Sequence, residues 1–384
     1  MNKINIPSSK SYIQRALICA SMSRGECFIS CNNFCDDVLA TANCLNALGN
    51  NIDKRNNGFF VKEFNFTERK IQREFDKSKL PLIDVGSSGA TLRFILPLIG
   101  VIGKECKSEM SPQLKSRPNK VYYDLLQSNG MIISDEFAGG KLAAGEYILP
   151  GDISSQYISG LLMALPNLDR GSEIILTTPL QSEPYIEMTL EVMRHFGVEI
   201  IKKDNGFEIP GNQKYVAKDY EAEGDWSAAA YFICAKKEVE GLNFNSLQGD
   251  RAIMTLLDKS GIDASDIPDL VPVLAAYALT KSGKTKIYNA ARLKYKETNR
   301  LETLCKALGA IGGDIKETDD ALLITGKSSL KGGEADSFGD HRIAMALALA
   351  SLKCERAVTI LNSDCVSKSY PSFFEDFEGN CILK

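Results

Sequence analysis

The chain has 384 residues, more than one ordinary hydrophobic core accommodates, so two domains are expected. Its apolar share of 44% and charged share of 24% are those of a globular protein. A formal net charge of −4 excludes a general binder of nucleic acid or membrane surface, which would need a strongly positive field. No 18-residue apolar run occurs, and the N-terminus lacks a charged-then-apolar leader pattern, which predicts a cytoplasmic protein.

The first element is a short apolar strand at 4–6, stopped by Pro7-Ser8-Ser9, after which Ala16, Leu17 and Ala20 set a helical period. Ser9 is expected as the N-cap, its hydroxyl answering an unpaired helix N–H. Lys10 and Ser11 then fall in the first turn, and Arg15 lies on the face of Ser11. Free N–H groups, a hydroxyl and two cations at one helix start suit a small anion. A capped surface helix with solvated charges would read the same in isolation. What favours the anion is recurrence of the device along the chain.

Eleven scattered cysteines, an odd number, read as free thiols in a reducing compartment. Cys27, Ile29 and Cys31 alternate as one strand face, and only His195 and His341 are present to complete a metal site with Cys27, Cys31 and Cys35. No metal is expected. The charged stretch 54–79 reads as strands with exposed connections.

An apolar helix face followed by glycine and an apolar strand start recurs along the chain. It ends at Gly49 before Ile52, Gly130 before Ile132, Gly197 before Val198, Gly261 before Ile262, Gly309 before Ile311 and, more weakly, Gly379 before Ile382. Glycine suits the left-handed residue that closes a helix. Six such endings at unequal intervals predict six α/β units, three to a domain. The boundary is expected near Glu223-Gly224-Asp225, where Asp225 caps a new helix beginning at Trp226.

Cations gather at helix starts throughout. Gly86-Ser87-Ser88-Gly89-Ala90-Thr91-Leu92-Arg93 joins a strand to a helix with small residues that let backbone N–H groups approach an anion. Ser116-Arg117-Pro118 and Gly151-Asp152-Ile153-Ser154-Ser155-Gln156 each open a helix. Asp269, in Ile267-Pro268-Asp269, reads by itself as the N-cap of an apolar helix over 270–279. Lys296 and Arg300 are spaced i,i+4 on one predicted face with Glu297, an arrangement that needs an anion or acid between the cations. Asp340-His341-Arg342 and Lys368 precede the last helices. Two domains carrying such starts would close around highly anionic small molecules, with Asp269 or Glu297 ionised among the cations as a proton acceptor.

The ordered motifs Pro7–Arg15, Gly86–Arg93, Ser116–Pro118, Ser154–Gln156, Ser182–Tyr185, Ile267–Asp269, Lys296–Arg300, Asp340–Arg342 and Lys368–Pro371 span nearly the whole chain. Together they resemble the 5-enolpyruvylshikimate-3-phosphate synthase family of enolpyruvyl transferases. The resemblance implies an α/β fold of two inside-out barrel domains, each of three βαβαββ units, with the active site in the interdomain cleft. The domains would be 8–224 and 1–7 plus 225–384. The implied reaction moves the enolpyruvyl group of phosphoenolpyruvate to the 5-hydroxyl of shikimate 3-phosphate and releases phosphate, on the route to chorismate and aromatic amino acids. It implies a monomer with no cofactor, metal, nucleic-acid or membrane partner.

By the same resemblance, Lys10, Ser11, Arg15, Ser154, Ser155, Gln156, Ser182, Asp269 and Lys296 bind shikimate 3-phosphate. Lys10, Gly89, Arg117, Gln156, Arg300, Arg342 and Lys368 bind phosphoenolpyruvate. Asp269 is implied as the base toward the 5-hydroxyl, while Glu297 and Lys10 manage the methylene proton and the leaving phosphate. Glyphosate is implied as a competitor of phosphoenolpyruvate beside Gly89. The chain departs from the family pattern at Ser87, Ala90, Asn299 and Arg292. The alternatives are a UDP-N-acetylglucosamine enolpyruvyl transferase, disfavoured by Ser11 and the Ser-Ser-Gln set, and a non-catalytic six-unit clamp-like protein. A clamp would spread cations along helix faces rather than gather them at helix starts.

Overall fold

The computed structural model describes residues 3–63 and 80–384, so the expectation for the stretch 54–79 is met by strands Asn51–Arg55 and Gly58–Lys62, and its part at 64–79 lies outside the described residues. The chain divides into two compact units, Ser8–Ala222 and the residues up to Pro7 together with Glu223–Lys384.

The repeat is plainest in the middle of the first unit. Strand Leu82–Asp84 leads into helix Gly89–Ile102, which returns to the parallel strand Cys106–Glu109. Helix Lys120–Ser128 then feeds the hairpin of Met131–Ile133 and Phe137–Gly140, whose second strand pairs antiparallel with Cys106–Glu109. Parallel neighbours need the long helical crossover, whereas antiparallel ones need only a tight turn, so β-α-β-α-β-β is a self-consistent order. Residues Glu146–Leu149 to Gly206–Ile209 repeat it in a second four-stranded sheet. A third sheet is completed from a distance: Tyr220–Glu221 adds in parallel to Cys27–Ser30.

The other unit carries one full copy, from Gly261–Asp263 to Leu322–Thr325, and two abbreviated ones among the described residues. One abbreviated copy is the three-stranded sheet of Gly333–Asp336, Val358–Leu361 and Cys381–Leu383. The other pairs Ile4–Asn5 with Val239–Glu240.

Each unit buries helices at its centre. Gly89–Ile102 and Ser155–Ala164 pack so closely that a Cβ at Gly160 would stand 2.2 Å from the Arg93 carbonyl oxygen. That contact admits only glycine. In the other unit, Val271–Thr280 and His341–Ser351 are buried over nearly their whole lengths, with Trp226–Cys234 beside them. A helix apolar on every side belongs at such a centre rather than at a surface.

Three of the six expected helix endings are as read: Gly49, Gly130 and Gly197 have φ of 100°, 103° and 82°. The other three differ. Gly261 opens a strand, because the helix before it is the short Ile253–Leu256. Gly309 lies inside helix Arg300–Ala310, which closes through Gly312 at φ 96°. At the last ending Glu378, not Gly379, takes the left-handed conformation, at φ 51°.

Candidate active site

Strand C-termini and helix N-termini alternate in every copy, so residues just past a strand and just before a helix collect at one end of each sheet, where open α/β sheets bind ligands. Arg117, Lys296 and Lys368 lie in such connections, Lys10, Arg300 and Arg342 in the first helical turn after them, and Arg15 and Arg93 one turn farther along their helices.

In the unit Glu223–Lys384, three of these connections converge. Arg300, first residue of helix Arg300–Ala310, is 1% exposed and spreads its guanidinium over three carboxylates. Its Nε donates to Asp340 Oδ2 at 2.8 Å, its Nη1 to Asp269 Oδ1 at 3.1 Å and its Nη2 to Glu297. Arg342 Nη2 reaches Asp269 Oδ2 at 3.0 Å, and Lys296 Nζ lies 3.6 Å from Asp269 Oδ1. Burial opposes ionisation of Asp269, but Arg342, Lys296 and Arg300 overcome it and hold the carboxyl well below the usual carboxylate range. Burial also pushes the Lys296 ammonium down to about 8, against the pull of Asp269.

Asp269 is not an N-cap: helix Val271–Thr280 starts two residues later with Leu270 at the cap, and the Asp269 carboxylate is given over to ion pairs. Lys296 and Arg300 do not share a helix face, because Lys296 is extended, at ψ −153°, after the turn Ala291–Tyr295. The loop brings both to the same oxygen of Asp269, which resolves the like-charge conflict. Asp340 supplies what the sequence reading lacked. It caps helix His341–Ser351 through the Arg342 N–H at 3.0 Å and fixes the Arg300 Nε. Lys368 ends the turn Ser363–Lys368 and is buried.

In the unit Ser8–Ala222, helix Lys10–Ser21 starts at Ser9, as expected, but the Ser9 hydroxyl makes no cap bond. The Ser9 carbonyl instead accepts from the N–H groups of Tyr12 and Ile13. Lys10 Nζ donates to Asp37 Oδ2 at 2.7 Å, a carboxylate itself buried. Arg15 donates to Thr189 Oγ1 at 2.7 Å, to the Ser11 carbonyl at 2.8 Å and to the Tyr185 carbonyl at 3.1 Å. Burial lowers its pKa to about 10. Arg15 thus ties the first helix to Glu183–His195, whose N-cap Ser182 sits buried at φ 56°. A non-glycine residue held there is strained, a cost that collects at ligand-binding positions.

Ser154 caps helix Ser155–Ala164 through the Gln156 N–H, and Gln156 Oε1 accepts from Arg93 Nη1 at 2.6 Å. Arg93 also donates to Asn119 Oδ1 at 3.2 Å and lies over the Tyr157 ring. Gly89 opens its helix between two arginines: a Cβ there would meet Arg117 Nη1 at 2.5 Å and Arg93 Nη1 at 2.7 Å. Gly89, Arg93, Arg117, Gln156 and, through its cap, Ser154 therefore form one neighbourhood. Lys10 with Asp37, and Ser11 with Arg15 and Ser182's helix, form two others of the same unit.

Among the described residues no group of His, Cys, Asp and Glu side chains could hold a metal ion, and no helix is long and apolar enough to cross a membrane.

A family profile described as EPSP synthase (3-phosphoshikimate 1-carboxyvinyltransferase) matches residues 1–264 and 251–377. The chain belongs to the EPSP synthase family. It is 41% identical to the 3-phosphoshikimate 1-carboxyvinyltransferase of Clostridium novyi, over 98% of this chain and 94% of that one. Against the enzyme of the same name from Clostridium kluyveri it is 40% identical, again over 98% and 94%. The solved EPSP synthase of Acinetobacter baumannii has the same fold, with a TM-score of 0.78 at 22% identity, covering 98% of this chain and 94% of that one. The six sheets among the described residues, divided between two units of repeated α/β build, are those of an EPSP synthase fold.

Proposed function

We propose that this enolpyruvyl transferase makes 5-enolpyruvylshikimate 3-phosphate from shikimate 3-phosphate and phosphoenolpyruvate, releasing phosphate, in the cytoplasm and as a monomer, and so serves chorismate and aromatic amino acid biosynthesis. The observation that carries the reading is the carboxylate of Asp269 held by Arg342, Arg300 and Lys296. In the free protein three cations make it a weak base. Phosphoenolpyruvate and shikimate 3-phosphate bring carboxylates and phosphates that compete for those cations. As Arg342, Arg300 and Lys296 turn to the ligands, Asp269 loses counter-charge and gains basicity as a hydroxyl arrives beside it.

The 5-hydroxyl oxygen then bonds to C2 of phosphoenolpyruvate and its proton passes to Asp269, while Glu297 protonates the methylene carbon. In the second step the methyl group returns a proton to Glu297, the C2–O bond to phosphate breaks, and the phosphate leaves beside Lys10 carrying the proton that Asp269 had taken, which restores both carboxyl groups. Ser11, Arg15, Ser154, Ser155, Gln156 and Ser182 take the shikimate 3-phosphate. Gly89, Arg117, Gln156 and Lys368 join Arg300 and Arg342 on phosphoenolpyruvate. Two features support the binding roles: the buried, multiply bonded Arg15, and the arginine pair beside Gly89, whose missing side chain lets both guanidinium groups approach the helix start.

A coupled phosphate-release assay with the two substrates tests the proposal. Release that depends on both is expected. No release with shikimate 3-phosphate, but release with UDP-N-acetylglucosamine as acceptor, would overturn it in favour of the sister activity.

A further inference from the structure

One buried carboxylate in the unit Glu223–Lys384 is used by none of the contacts above. Asp250 lies in the tight turn Gly249–Ala252 and is 2% exposed. Its Oδ2 accepts from the Ser227 hydroxyl, while its Oδ1 is buried with no hydrogen-bond partner among the described residues. An acid removed from water with one oxygen unanswered costs stability, and a fold keeps such a group only where its charge is used or its proton retained.

The surroundings show where that charge is felt. Ser227 and Tyr231 stand one turn apart on the same face of helix Trp226–Cys234. Ser227 bonds Asp250, and the Tyr231 hydroxyl donates to the Arg342 carbonyl at 3.1 Å. Arg342 in turn grips Asp269 through its guanidinium. The turn itself is pinned by Gln248, whose Oε1 accepts from the Trp226 N–H at 3.0 Å. The charged groups facing Asp250 from the elements around it are Asp225 at the start of the Trp226 helix, Asp269 ahead of helix Val271–Thr280 and Arg342 on helix His341–Ser351.

We propose that Asp250 is a positioning residue of this site, a buried carboxyl that, by gaining or losing its proton, sets the charge Arg342 and Asp269 present to the substrates. The inference rests on the reaction proposed above. Burial first, and Asp269 second, push the Asp250 carboxyl up to about 7, against Arg342 and the Ser227 hydroxyl. Below that pH the group is neutral, and Arg342 acts on Asp269 unopposed. Above it, a negative charge offsets Arg342 and repels the charge on Asp269, which makes Asp269 the stronger base. Turnover therefore rises as Asp250 ionises.

Three proteins test this: the wild type, Asp250→Asn and Ser227→Ala. For the wild type, kcat is expected to climb by about a factor of ten across neutral pH, the change that one pK unit in the base makes. Asp250→Asn, permanently neutral and of equal size, should stay on the lower plateau with no step in that window. Ser227→Ala removes a donor that favours the ionised form, so its step should move to higher pH. A purely structural role for Asp250 would lower stability or kcat in Asp250→Asn without abolishing the step. The step surviving in Asp250→Asn with an unchanged midpoint therefore overturns the proposal. Infrared difference spectra of the ligand-free proteins provide a readout free of activity. The carboxylic-acid carbonyl band should vanish between pH 6 and pH 8 in the wild type and be missing in Asp250→Asn. Absence of that band from the wild type also overturns the proposal. A wild type that releases no phosphate overturns the reaction instead, and the infrared band still decides whether Asp250 holds the proton.

Discussion

Arg342 holds Asp269 at two points, with Nη2 on the carboxylate at 3.0 Å and Nη1 on the backbone carbonyl of the same residue at 3.2 Å. The second bond fixes the main chain, so the carboxylate keeps its place when the first is drawn toward a ligand. Asp269→Asn keeps that backbone bond and the side-chain volume but removes the base. Turnover should fall by roughly 10²–10⁴-fold, the range of a positioned general base. Inorganic phosphate should bind more tightly to the variant, because Arg300, Arg342 and Lys296 lose their shared counter-charge. Phosphate-release kinetics and titration calorimetry check the two outcomes, and a variant with near-normal turnover leaves Asp269 only a counter-ion. The sign of its pH effect is set too. A carboxyl lowered in the fold contributes stability above its unfolded value and loses it as pH falls through the depressed one, so this contribution persists across neutral and mildly acid pH.

Arg300 is the hub of the same cluster, with Asp340, Asp269 and Glu297 around one guanidinium. A lysine keeps the charge but not the planar fork, and cannot reach three acids at once. Arg300→Lys should destabilise the protein by about 3 kcal/mol, the lower end of the cost of breaking a buried ion pair. Denaturant unfolding of the two proteins measures it. A loss within experimental scatter would mean that the carboxylates find other partners.

Lys296 should be the most nucleophilic amine among the described lysines at mildly alkaline pH. Its ammonium is held to about 8 by burial, yet the side chain is 28% exposed and reachable. At pH 8 a limiting amount of acylating reagent should mark Lys296 ahead of the surface lysines, with shikimate 3-phosphate protecting it, as peptide mass spectrometry reads out. Since the folded value lies below the unfolded 10.5, the fold binds fewer protons between the two, and this group's contribution to stability rises with pH over that window. Labelling spread evenly over the lysines would contradict the lowered value.

Much of this site was legible in the sequence because its signals are local. A proline or glycine stops a strand, a small residue opens a helix, and a cation follows within a turn, as at Lys10, Gly89 and Arg342. What the sequence hid is tertiary. Ser9 takes the N-cap position, but its hydroxyl makes no cap bond. Asp269 reads as a cap and serves as a counter-ion. Asp37, Thr189 and Asp250 gave no motif of their own, since each acts on a partner far away in the chain, and the motif that holds Asp340 did not show its bond to Arg300. The misplaced endings at Gly261, Gly309 and Gly379 have one cause: the apolar pattern marks a helix face but not the residue at which the helix stops.

Gly89→Ala separates space for a ligand from space for a guanidinium. The residue begins helix Gly89–Ile102 with no left-handed backbone, so alanine should be accepted by the main chain. Its methyl would stand 2.5 Å from Arg117 Nη1 and 2.7 Å from Arg93 Nη1. Arg117 can swing away at its flexible end. Arg93 is bound to Gln156 and Asn119 and lies over Tyr157, so its displacement would also disturb Gln156. The variant should therefore keep its thermal stability, raise KM for phosphoenolpyruvate and weaken inhibition by glyphosate, with KM for shikimate 3-phosphate moving less. Glyphosate inhibition of both proteins at several phosphoenolpyruvate concentrations is the measurement. Competitive inhibition is expected for the wild type. Equal inhibition of the two proteins, at equal KM for phosphoenolpyruvate, would place that ligand away from Gly89.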